Sequence, residues 1–190
     1  MTNRGPLILA IESSCDDTSV AVLQGFNVLS NCVHNQEIHR EFGGVVPEMA
    51  SRAHIQYIVP TILDALRTSK KEFNQLEGIA VTQGPGLQGS LLVGHSMAKS
   101  LSLALTIPLI NVNHIEGHML SCYLVEKGVQ KNSSLEFPYL CLTVSGGHTQ
   151  IVIVKNWDNF EVLGQTLDDS VGEAFDLSLI HISEPTRLGF

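Results

Sequence analysis

The stretch Leu7–Leu23, "LILAIESSCDDTSVAVL", decides the fold, because its organisation returns later in the chain. The apolar runs Leu7–Ile11 and Ser19–Leu23 read as two strands joined by the polar turn Glu12–Thr18, and "NVLSNCV" at 27–33 supplies a third strand. From Tyr139 the same order recurs as "YLCLTV", the small-residue turn "SGGHT", "QIVIV" and "FEVLGQT". Two repeats of strand, phosphate-sized turn, strand and strand predict a two-lobed α/β protein with a cleft between the lobes.

Between the repeats, Pro47 and Glu48 open a helical segment that runs to Ser69, and Pro60 inside it is expected to kink or divide the helix. "GIAVTQ", "GPGLQG", "SLLVGHSMAKSLSLAL" and "IPLINV" then form a βαβ unit, which calls for parallel pairing. "HIEGHMLSCYLVE" reads as one further helix. The polar stretch 128–136 is the best linker candidate. Domain bounds follow: a first lobe over 1–127, the linker, the start of a second lobe over 137–176, and a tail over 177–190 without helical period.

Composition sets outer limits. Apolar residues are 44% of the 190 and charged ones 16%, which excludes a disordered chain. The net charge of −8 repels nucleic acid, so an RNA substrate needs a local basic patch or a partner's help. The four cysteines, Cys15, Cys32, Cys122 and Cys141, stand far apart, which suits buried thiols in a reducing compartment. The N-terminus resembles neither a signal nor a transit peptide, and no apolar run is long enough for a membrane helix, so a soluble cytoplasmic protein is expected.

Four short motifs carry chemistry. In "NHIEGH", His114 and His118 fall about 40° apart on a helix and can grip one metal ion. Glu116 falls about 180° from their mid-line, so it cannot act as a protease-type base at that metal. Separate histidines are the commoner case for an isolated pair of this spacing, but this one follows a parallel strand, where ligand sites of α/β folds collect. "SGGH" is either a plain hairpin turn or a place where backbone N–H groups meet an anion. "ESSCDDT" is either a solvated turn or a group of hydroxyls and carboxylates around a phosphate or its cation. "GPGLQGS" offers a helix start with Ser90 as N-cap but lacks the ending of a Walker loop.

Taken together, "IESSCDDTSVAV", "GGVVPEMASRAH", "VTQGPGLQGSLLVG", "NHIEGH", "VSGGHTQ" and "LDDSVGEAFD" resemble, in order, the bacterial and organellar tRNA adenosine threonylcarbamoyltransferases, once called glycoproteases. The resemblance implies an actin-like fold and transfer of a threonylcarbamoyl group from threonylcarbamoyl-AMP to N6 of the adenosine beside the anticodon of ANN-decoding tRNAs. It implies one divalent metal, iron or zinc, on His114 and His118. It also implies substrate contacts from Thr143, Val144, Ser145, Gly146, Gly147 and Asp176, with Glu12 and Asp16 as acidic residues of the catalytic cleft. The implied partners are tRNA, an actin-like scaffold paralogue and a P-loop ATPase in bacteria, whereas mitochondrial members form homodimers.

The family continues past "GEAFD" with further substrate and metal ligands, and residues from about Leu177 fit it nowhere. The resemblance therefore implies a truncated second lobe and an incomplete metal site, and the chain as written is expected to be poorly folded and inactive. Two other classes share the fold: a non-catalytic scaffold, against which the histidine pair argues, and a sugar-kinase-type ATPase, which needs magnesium and no such pair. A metallopeptidase is the weakest alternative.

Overall fold

A computed structural model describes residues 5–36, 44–126, 135–172 and 174. All but the last two positions of the expected linker, the tail 177–190 and Asp176 lie outside the described residues. Contacts divide the chain into two compact units, Met1–Gly117 with Tyr123–Lys131, and His118–Cys122 with Asn132–Phe190.

The first unit is built on a six-stranded sheet. Strands β1 (Leu7–Glu12), β2 (Thr18–Gln24) and β3 (Asn27–His34) form an antiparallel meander, as the apolar runs and polar turns require. β4 (Gly78–Gly84) pairs in parallel with β1, and β5 (Leu109–Asn113) pairs in parallel with β4. The βαβ unit is thus as expected, its crossover helix α2 being Gln88–Leu105. Strand order, including the short β6 (Val125–Glu126), is β5-β4-β1-β2-β3-β6.

Alternation along β1 and β2 buries Leu7, Leu9, Ile11, Val20 and Val22 on one face. Helix α1 (Pro47–Ser69) meets it with Ile58, Ile62, Ala65 and Leu66, and α2 adds Ala98. Each large aliphatic side chain so buried contributes about 1.5–3 kcal/mol. The second unit repeats the meander: β7 (Tyr139–Val144), β8 (Thr149–Asn156) and β9 (Asn159–Gln165) pair antiparallel in that order.

Three local expectations need correction. Pro60 does not divide α1, which runs unbroken through it. The carbonyl of Gln56, which a proline cannot bond, belongs to an exposed residue, as does Pro60 itself, so water can take that place. Ser90 does not cap α2. The amide of Leu87 is pinned to the carbonyl of Ser14 (2.7 Å), helix bonding starts with Leu91 N–H to the Leu87 carbonyl (2.9 Å), and Ser90 becomes the third helical residue. Finally, the helix opening at His114, α3 (His114–Leu120), ends early. A 3-10 turn over Ser121–Tyr123 follows, and the Val125 amide is drawn to the Phe26 carbonyl (2.8 Å), which starts β6 beside β3.

Because Pro60 sits exposed inside a formed helix, Pro60→Ala restores one backbone bond and is offset in part by the freer unfolded chain. Urea unfolding is expected to show a gain of about 1–2 kcal/mol, and a loss would contradict this account of the helix.

Candidate functional site

Parallel pairing brings the carboxyl ends of β1, β4 and β5 to one edge of the sheet, the edge where open α/β folds place ligands. Glu12 closes β1, and His114 follows the last residue of β5. The two meet. His114 Nδ1 stands 3.5 Å from Glu12 Oε1 and 3.2 Å from Ser14 Oγ, while the Ser14 amide donates to the same Glu12 oxygen at 2.8 Å. Burial pushes the Glu12 carboxyl up, but the hydrogen bonds from His114 and Ser14 outweigh it and hold the group below its usual value. The stability this carries is fully present at neutral pH and is lost as pH falls below the ordinary glutamate value toward the lowered folded one.

Asp16 and Asp17 stand in the same turn. Burial first, then the charges of Asp16 and Glu12, push the Asp17 carboxyl up, with His54 and His34 opposing. Crowded carboxylates of this kind favour a cation. Cys15, between them, is exposed, yet burial of its thiol and the hydrogen bond with Asp16 push its pKa up to about 11.

The turn is held from beneath by His54, wholly buried on α1. Its Nε2 lies 2.9 Å from the carbonyl oxygen of Cys15, which can only accept, so Nε2 carries the proton. Nδ1 then accepts from the Thr18 hydroxyl at 2.7 Å. The middle and the far end of the acidic turn are thereby tied to one ring.

Asn113 Oδ1 accepts the amides of Ile115 (2.9 Å) and Glu116 (3.2 Å), which starts α3 directly after the strand. His114 and His118 both lie on this helix, one turn apart, the first half-buried and the second exposed. Imidazole is a common metal ligand, and that of His114 stands with its Nδ1 against a carboxylate. Among the described residues no group of three or more His, Cys, Asp or Glu gathers to complete such a site.

In the second unit, Thr143 is buried and Val144 exposed at the end of β7. Ser145, Gly146 and Gly147 form the turn into β8. The Ser145 amide donates to the His148 carbonyl (2.8 Å), and the His148 amide donates to Ser145 Oγ (3.0 Å). Among the described residues no helix is long and apolar enough to cross a membrane.

The family model for tRNA N6-adenosine threonylcarbamoyltransferase matches residues 27–179. This chain belongs to that family. The threonylcarbamoyltransferase of Christiangramia forsetii is 55% identical over 171 residues, covering 90% of this chain and 49% of the relative. That of Staphylococcus saprophyticus is 52% identical over 172 residues, covering 90% and 48%. The chain therefore spans about half the length of these relatives. Among solved structures, YeaZ from Pseudomonas aeruginosa superposes with a TM-score of 0.53 at 18% identity, covering 85% of this chain and 66% of that one. The ethanolamine utilization protein EutJ from Carboxydothermus hydrogenoformans gives 0.52 at 14%, covering 94% and 57%. At such identities the likeness concerns fold alone, and the fold is actin-like.

Sequence reading of this family member missed His54, Ser170 and Gly172. His54 had a signal: it shares the i, i+4, i+8 stripe Ala50, His54, Ile58, a polar residue on a buried face. His54→Ala leaves a cavity and strands a buried hydroxyl and a carbonyl, and is expected to cost about 3 kcal/mol in urea unfolding. A loss below about 1 kcal/mol would contradict the tie described here. Cys15, though exposed, is expected to react with iodoacetamide about a hundredfold more slowly at pH 8 than an unperturbed thiol, its rate still rising beyond pH 10. A plateau near pH 9 would overturn that.

Proposed function

We propose that the protein, at the length of its relatives, transfers a threonylcarbamoyl group from threonylcarbamoyl-AMP to N6 of the adenosine beside the anticodon of ANN-decoding tRNAs. The observation that carries this is the family match over residues 27–179, joined to the contact of Glu12 and Ser14 with His114. In the reaction the N6 amine attacks the carbamoyl carbon, the bond from that carbon to the phosphate oxygen breaks, AMP leaves with the electron pair, and the amine gives up one proton to solvent. The donor is an activated anhydride, so the protein has mainly to orient two reactants and steady the charge that builds on the carbonyl oxygen.

His114 and His118 would hold one iron or zinc ion, which supplies Lewis-acid polarisation when bound. Glu12 stands 3.5 Å from Nδ1 of His114 and would orient that ring toward the ion. Asp16, beside Glu12 in the same turn, adds negative charge that favours the cation. Thr143, Val144 and the Ser145–Gly147 turn would receive the donor, and the family resemblance adds Asp176 as a further substrate contact. From the family resemblance we assign the protein an actin-like scaffold paralogue and a P-loop ATPase as partners in the cytoplasm, and the charge of −8, which disfavours unaided tRNA binding, supports a need for help.

The test is mass-spectrometric detection of threonylcarbamoyladenosine on a tRNA transcript, using a chain of the relatives' length with donor, metal and both partners. Activity is expected there, while the 190-residue chain makes none. Glu12→Gln is expected to lower metal affinity and rate by about 10–100-fold. No product from the long chain would sink the acyl-transfer reading, and an unaffected Glu12→Gln enzyme would remove Glu12 from the site.

A further inference from the structure

The glycines of the Ser145–His148 turn are not required by the chain's own packing. Among the described residues, a Cβ built on Gly146 or Gly147 meets nothing within 4 Å, and neither residue has the left-handed backbone angle that favours glycine. Bare amides on an open side suit a group approaching from outside the chain.

Behind the turn, the segment Thr166–Gly172 folds back onto it. The Thr166 amide donates to the Thr149 carbonyl at 2.9 Å, and the Val171 amide to Thr149 Oγ1 at 2.8 Å. Ser170, only 3% exposed, donates its hydroxyl to the Gly146 carbonyl at 2.6 Å. Gly172 lies against the preceding peptide. A Cβ there would stand 2.5 Å from the Ser145 oxygen, 2.6 Å from its carbon and 2.8 Å from the Gly146 nitrogen. In a trans peptide the C=O and N–H point in opposite directions. With the Gly146 carbonyl turned to Ser170, the Gly147 N–H points away from Ser170.

We propose that Ser170 and Gly172 are positioning residues that lock the Ser145–Gly147 turn with the Gly147 N–H directed at an anionic oxygen of the substrate. The assignment of that oxygen to the acyl donor rests on the acyl-transfer reading above. A phosphate and a carboxylate share the required chemistry, and the donor carries both.

The test uses Ser170→Ala, Ser170→Thr and Gly172→Ala in a chain of the relatives' length. Ser170→Ala is expected to raise KM for threonylcarbamoyl-AMP about tenfold, with kcat changed less than threefold, and Ser170→Thr, which keeps the hydroxyl, to restore it. Gly172→Ala is expected to do more, since backbone atoms stand in the way. Equal loss in Ser170→Ala and Ser170→Thr, or a fall in kcat alone, would overturn the proposal. Independently of activity, the Gly147 amide resonance is expected to shift on titration with AMP if phosphate is the anion, or with threonylcarbamoyl-AMP only if it is the carboxylate. Either shift should weaken in Ser170→Ala, and no shift with either compound would overturn the proposal even if the wild type forms product.

Discussion

Parallel pairing of β4 between β1 and β5 is the constraint on which the first unit's site depends. Glu12 and His114 are 102 positions apart in sequence, and nothing local relates them. They meet because one closes a strand and the other follows a strand, and β4 holds both strands in the same direction. The cost of ordering that long intervening chain is met by the core beneath, where α1 and α2 cover the buried face of β1 and β2.

The close seating of α2 follows from small residues on both sides. A Cβ on Gly94 would lie 2.2 Å from Ser13 Oγ, one on Gly89 would lie 2.3 Å from Ser51 Oγ, and one on Gly86 would lie 2.5 Å from the Ser14 carbonyl oxygen. Ser13 in turn donates to the Ser90 carbonyl at 2.9 Å. Larger side chains at these points would lift the helix from the acidic turn and displace the Leu87 amide from Ser14. The position of Ser14, and through it the contact with His114, is therefore set partly by glycines that make no polar contact of their own.

Much of this was legible in the sequence, and the failures are physical. The two meanders were readable because period-two strands flank polar turns, a signal that needs no tertiary knowledge. Pro60 did not divide its helix, because the one carbonyl it cannot bond, that of Gln56, belongs to an exposed residue where water can take the place of the amide. Ser90 misled because the helix start was fixed by Ser14, some 70 positions earlier. Of the site, "NHIEGH" and "SGGH" stood out by residue type alone. Ser170 and Gly172 did not, because their roles lie in contacts with a backbone about 25 positions away, which no spacing pattern encodes.

The two units use one scaffold for opposite chemistries. In each, the turn between the first two strands of an antiparallel meander carries the polar groups. In the first, Glu12, Asp16 and Asp17 stand in one turn, and burial first, then the charges of Asp16 and Glu12, push the Asp17 carboxyl up. In the second, the corresponding turn has no carboxylate and presents glycine amides instead. Each turn is braced by a buried side chain bonded to its backbone, His54 to the Cys15 carbonyl and Ser170 to the Gly146 carbonyl. A short polar turn cannot hold its groups in a fixed direction against solvent, so the bracing residue is as much a part of the site as the groups it aims.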